Sequence, residues 1–210
     1  MSIRTFGGLA AFFIALWIIS SGARASEEVL YGVPTGTDWT STGMYPSWKL
    51  LDEKGDQSKT SIRSYIRESH TRESYDELIE VVIYRGETTP DIRRWVQKSA
   101  YEGSKRCKKY ALVKPQFGKI NGYEVAVYGN QCTGLVKPET QSGEEVTVEF
   151  AMFKLIAGEQ DSFLVMRSWR GPYASELYPP QNKIVMQDWM AFIRGVHVCN
   201  TSKSDQVCRP

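Results

Sequence analysis

Histidine is almost missing from this chain: the 210 residues hold His70 and His197 and no others. Cysteine is scarce as well, with Cys107, Cys132, Cys199 and Cys208, and no two of them form a C-x-x-C. Ligands so few and so spaced give no case for a zinc site, so no metal is expected. The sequence has no G-x-G-x-x-G, no G-x-x-x-x-G-K-[ST], no H-E-x-x-H and no G-x-S-x-G. Those absences remove the phosphate-cradling loops, the helical zinc protease and the nucleophile elbow. No cofactor and no catalytic residue are expected on that ground.

Net charge is the next thing in short supply. The chain carries 26 Lys and Arg against 24 Asp and Glu. Arg4 and Arg24 lie in the first 25 residues, so Ser26–Pro210 is left with 24 of each sign. A neutral chain offers no general electrostatic attraction to nucleic acid or to an anionic membrane, and no nucleic acid is expected as a partner.

Those first residues have a pattern of their own. Arg4 precedes an apolar run, FGGLAAFFIALWII, from Phe6 to Ile19, and Ala23-Arg24-Ala25 supplies a small-x-small cleavage site. The run falls short of the roughly 20 apolar residues that a spanning helix needs. The expectation is a secretory signal at 1–25, removed after Ala25, leaving no integral membrane anchor. A periplasmic or secreted chain with an even cysteine count is expected to form disulfides. Three pairings are possible. The two local ones, Cys107–Cys132 and Cys199–Cys208, are favoured, the second stapling the polar tail NTSKSDQV to the helix before it.

Along the rest of the chain, 26–46 is rich in Gly, Thr, Ser and Pro and reads as an irregular lead-in, anchored by Trp39 or Tyr45. Trp48–Leu51 reads as a short strand and Glu53-Lys54-Gly55-Asp56 as a turn. Ser61–Glu68 alternates, with Ile62, Ser64 and Ile66 facing one way and Arg63, Tyr65 and Arg67 the other, the pattern of a half-buried strand. Leu78–Tyr84 is apolar on both faces, which suits a central strand. A helix is expected from Thr89 as N-cap and Pro90 at the first helical position, with Ile92, Trp95, Val96, Ser99 and Ala100 on one stripe and Gly103 at its end. The basic cluster Lys105, Arg106, Lys108, Lys109 follows, where cations meet the negative helix terminus. Strands are expected at Gly122–Gly129, Val146–Ala157 and Ser162–Trp169. In the second of these the apolar phase shifts at Phe153 and Leu155, which suggests a bulge or bend. Pro179-Pro180 opens a last helix whose stripe is Val185, Trp189, Phe192 and Val196. No repeat or internal linker interrupts 47–210, so that span reads as a single α+β domain with a mostly antiparallel sheet and two main helices packed on it.

His70 sits in a charged connection, between Arg67-Glu68-Ser69 and Arg72-Glu73-Ser74, and His197 beside a cysteine at a helix end; neither reads as catalytic. The acid pairs Asp52-Glu53 and Glu144-Glu145 read as solvated chain ends, since neighbours on a strand face opposite ways. Trp95 and Trp189 read as core. What remains is an aromatic set, Trp169, Arg170, Tyr173 and Tyr178, around a Pro-rich loop. Trp, Tyr and Arg are the types that most often carry binding energy, so these four form the candidate partner-binding rim.

The order of elements, together with Asn121-Gly122-Tyr123, Cys132, the stretch Asp161–Arg170, Trp189-Met190, Val196–Cys199 and Cys208, resembles a group of secreted proteobacterial proteins over Trp48–Arg209. The element order also resembles the PsbP-like α/β/α sandwich of photosystem accessory proteins and periplasmic DcrB-like proteins. The resemblance implies an exported, disulfide-bonded, non-catalytic protein. The expected function is a binding or accessory protein of the bacterial envelope, with another envelope protein or a small apolar ligand as partner. The alternatives are an envelope enzyme, hydrolase-like, using His70 or an acid, and a secreted host-interaction factor.

Overall fold

The computed structural model describes residues 28–34, 47–87, 91–135, 147–172, 175–176, 178–203 and 206. The expected signal, and Trp39 and Tyr45 as anchors, lie outside them. The elements run β1 (Glu28–Tyr31), β2 (Trp48–Asp56), β3 (Thr60–Arg67), β4 (Glu77–Tyr84), α1 (Ile92–Ser104), β5 (Cys107–Ile120), β6 (Tyr123–Leu135), β7 (Thr147–Ala157), β8 (Ser162–Pro172), α2 (Lys183–Gly195) and β9 (His197–Asn200). Seven strands form one antiparallel sheet in the order β2-β3-β4-β8-β7-β6-β5, and β1 pairs with β9 in a separate two-stranded sheet. The α+β class is as expected, with a helix on each face of the sheet. α1 packs on Ala126, Tyr128, Ala151, Phe153 and Leu155. α2 packs on the opposite face, on Phe150, Met152, Val165 and their neighbours.

The longest apolar strand explains how the two layers are joined. Along β7, Val148, Phe150, Met152 and Ile156 face α2, while Ala151, Phe153 and Leu155 face α1. Strict alternation of this kind is the period of an unbroken strand, and the pairing to β6 and β8 runs through without a register shift. The bulge expected at Phe153 is therefore absent. Lys154 made the phase look broken. It occupies a core position on the α2 face and is 1% exposed.

Other expectations also change. The helix cap is Asp91, whose side chain accepts from the Arg93 and Arg94 N–H groups at 3.0 Å; Thr89 and Pro90 lie outside the described residues. Asn182 caps α2 in the same way, so Pro179-Pro180 precede the helix rather than open it. Gly103 lies within the last turn of α1, where an added Cβ would come within 3.3 Å of the Tyr110 ring, so it permits close packing rather than marking a stop. On β3, Tyr65 belongs to the main core, on the side of the strand it shares with Arg63 and Arg67. β2 runs through its supposed turn to Asp56, and the chain reverses at 57–59, closed by Lys59 N–H donating to Asp56 O at 2.8 Å.

Three strands are absent from the sequence expectation, and each has a reason. β5 is an edge strand, and its lysines and Pro115 hide the apolar alternation while discouraging edge-to-edge pairing. Pro115 falls inside the register shift between Val113 and Gln116, where a missing N–H costs no ladder bond. β1 and β9 are four residues each and exist only because the two ends of the chain meet. The span 26–46 is thus not irregular throughout.

Candidate functional site

Trp169 and Tyr178 do not form a rim. Trp169 is 4% exposed and Tyr178 1%, with ring centroids 5.5 Å apart, inside the main core. The indole lies so close over Gly171 that a Cβ there would approach it to 2.5 Å. Of the other two, Arg170 is exposed and pairs with Glu149 at 2.8 Å, and Tyr173 lies outside the described residues. The Pro-rich loop that suggested an exposed surface folds its second tyrosine down onto the sheet, because a phenol ring of that size gains more from burial than from solvent.

Cys107 and Cys132 are bonded, joining the start of edge strand β5 to β6, with Cα atoms 5.4 Å apart. Cys199 is disulfide-bonded as well; Cys208, its expected partner, lies outside the described residues. Among the described residues no group of three or more His, Cys, Asp or Glu is placed to hold a metal ion, and no helix is long and apolar enough to cross a membrane.

Two of the cavities are candidate sites. The first, about 270 Å³, is lined by Arg67, His70, Asp76, Glu77, Trp169, Val185 and Trp189. The charged connection after β3 places His70 there, 3.3 Å from Asp76 between His Nδ1 and Asp Oδ1. That distance allows an ion pair, but neither atom makes a hydrogen bond. One wall is a buried charge network. Arg167, 2% exposed, donates to Glu77 at 2.5 Å and to Asp188 at 2.7 Å, and Arg67 donates to the other oxygen of Glu77 at 2.6 Å. Aromatic rings surround the Arg167 guanidinium: Trp189 at 5.0 Å, Phe192 at 5.5 Å and Trp48 at 5.7 Å. A buried guanidinium is tolerable only when paired and hydrogen-bonded in this way. The indole nitrogens of Trp169 and Trp189 are buried without a partner among the described residues. Among the described residues, no Ser, Thr, Cys or Tyr lines the cavity.

The second cavity, about 330 Å³, lies between α2 and the β5–β6–β7 end of the sheet. Val113, Val127, Phe150, Met152, Met186 and Met190 supply apolar wall, and Lys114, Gln116 and Gln131 supply polar groups. α2 is too short to cover seven strands, and β1 and β9 cover a different part of the same face, beside Leu30, Val33 and Val198. At the β5–β6–β7 end, the part of this face that no described residue covers is this cavity. Methionine suits such a wall, since an unbranched, polarizable chain adapts to different shapes. Met186 and Met190 flank the α2 stripe at i, i+4, which the sequence shows, but Val113 and Gln116 belong to the strand it conceals.

His197 has a structural setting. Its Nδ1 is 2.8 Å from Gly195 O, and its ring stacks on Tyr31 at 5.4 Å, joining β9 to β1.

No family model, curated protein or solved structure matches the chain.

Proposed function

We propose that this is an exported, non-catalytic binding protein of the bacterial envelope, and that its ligand is a small apolar molecule seated between α2 and β5–β7. The observation that carries the reading is the methionine-lined cavity of about 330 Å³, which is within the size range of small-molecule sites and has the usual make-up of apolar walls with a few polar groups. Export draws its support from the signal-like first 25 residues and from the disulfide between Cys107 and Cys132.

An uncharged naphthylamine dye that fluoresces in apolar surroundings tests the site. Saturable enhancement is expected, competed by medium-chain alcohols, and abolished in Met190→Trp, whose ring fills the cavity. Enhancement that survives Met190→Trp, or none in the folded wild type, overturns the assignment. N-terminal sequencing of exported protein should begin at Ser26.

A second reading rests on His70 beside Asp76 in the smaller cavity. A histidine beside a carboxylate in a cavity can act as a general base toward water, which is hydrolase chemistry. Turnover of an ester or amide substrate that disappears in His70→Ala supports this reading against the first.

A further inference from the structure

The charge of this protein is balanced in sum and unevenly divided along the chain. Between Asp91 and Lys119 the sequence holds nine Lys and Arg and two acids, leaving 15 cations against 22 acids elsewhere in Ser26–Pro210. α1 and the edge strand β5 make up nearly all of that span, and they pack together at one side of the sheet. Both acids are engaged locally: Asp91 caps α1, and Glu102 pairs with Lys105 at 3.0 Å.

On α1, Ile92, Val96 and Gly103 face the sheet, and Arg93, Arg94, Lys98 and Tyr101 are exposed. At 100° per residue, Arg94, Lys98, Tyr101 and Lys105 share the outer face, with the tyrosine among the cations. Tyr101 is 62% exposed. The strand continues the surface. Tyr110 lies against Gly103 of α1, so by alternation Lys108 and Leu112 share that side of β5. Leu112 is 40% exposed. Among the described residues, no ion pair engages Arg94, Lys98, Lys108 or Lys119, whereas Arg106 feels the Glu80 carboxyl.

We propose that the α1/β5 face docks peripherally on an anionic lipid bilayer, the rest of the molecule turned away. The uneven charge orients the approach, since the α1/β5 face is attracted while the described residues outside it hold 13 cations against 16 acids. Long Lys and Arg stems reach the headgroups, and an exposed tyrosine and leucine suit the interface between headgroup and hydrocarbon. Nucleic acid is the weaker match to the same charge: a single exposed ring gives no stacking platform, and a convex helix face gives no groove to track a strand.

Flotation of residues 26–210 with vesicles tests the proposal. Expected is binding to vesicles of equal parts phosphatidylglycerol and phosphatidylethanolamine at low salt, lost at about 0.5 M salt where screening is short-ranged, and lost on phosphatidylcholine alone. Each basic residue near an anionic surface is worth roughly fivefold in partitioning. Arg94→Gln/Lys98→Gln/Lys105→Gln should therefore weaken binding on the order of 100-fold with an unchanged melting temperature. If that triple variant loses its fold, Arg94→Gln/Lys98→Gln serves, with an expected loss of roughly 25-fold. Equal binding to phosphatidylcholine overturns the proposal. So does unchanged partitioning of a folded variant, or tighter binding to a short DNA duplex than to the anionic vesicles.

Discussion

The ammonium of Lys154, on the central strand β7, donates to the carbonyl of Ile193 at 3.0 Å and reaches that of Val196 as well. A buried lysine thus serves as the C-terminal cap of α2, where the last carbonyls have no intrahelical donors and cations are favoured. Helix and sheet are held by a polar bond through an otherwise apolar layer.

That burial sets a pH dependence. Desolvation lowers the Lys154 pKa from 10.5 to about 8. Between those values the unfolded chain binds a proton that the folded one has released, so stability rises with pH above about 8. The rise should reach about 2–3 kcal/mol by pH 10. Beyond that the sign reverses, because burial raises Tyr128 to about 12 and the folded state then retains a proton that the unfolded state loses. Urea unfolding from pH 7 to 10 measures the curve, and Lys154→Met should flatten its rising limb.

The Arg167–Glu77 pair makes a second prediction. Glu77→Gln leaves two guanidinium groups short of a carboxylate, one of them 2% exposed. Breaking a buried pair costs about 3–5 kcal/mol. Arg167→Met/Glu77→Gln should cost clearly less than the two single changes added together, giving a coupling energy above about 1 kcal/mol. Additive losses would mean that packing on Trp48 and Trp189, not the charge pair, sets the stability.

Glu28 should matter far beyond its short strand. Its carboxylate accepts from the N–H groups of Glu159, Gln160 and Asp161 at 2.6 to 3.1 Å, closing the β7–β8 turn from the other end of the chain. Each hydrogen bond to a charged acceptor is worth about 1.5–3 kcal/mol, though the three are not additive. Glu28→Ala should lower stability by about 2–4 kcal/mol, and faster amide exchange at 159–161 would locate the effect.

The Cys107–Cys132 bond closes a loop of 25 residues' separation, worth about 3 kcal/mol in the chain-entropy account. Cys107→Ser/Cys132→Ser should shift the urea midpoint accordingly. Peptide mapping without reduction should return this pair, and a Cys107–Cys199 peptide would contradict it.

What was legible in the sequence follows from local physics. Two helices with apolar stripes, a both-sided central strand at Leu78–Tyr84 and the β7–β8 hairpin could each be read from periodicity, because a few residues in a row fix which face is buried. The cysteine pair at 107 and 132 was legible from compartment and spacing. The edge strand β5 was not, since an unpaired edge selects the very lysines that erase the pattern. β1 and β9 were not, since their pairing joins residues at opposite ends of the chain. The candidate sites divide the same way. Sequence located Trp169 and Tyr178 as large aromatics, but whether they face solvent or core depends on how the loop after β8 folds back. His70 and Asp76 are ordinary polar residues until the connection after β3 brings them to one cavity. Composition and periodicity determined the class of fold and where the strongest apolar elements lie. Only the tertiary structure decided that a lysine would fill a core position, because its cost depends on carbonyls that α2 presents about 40 residues away.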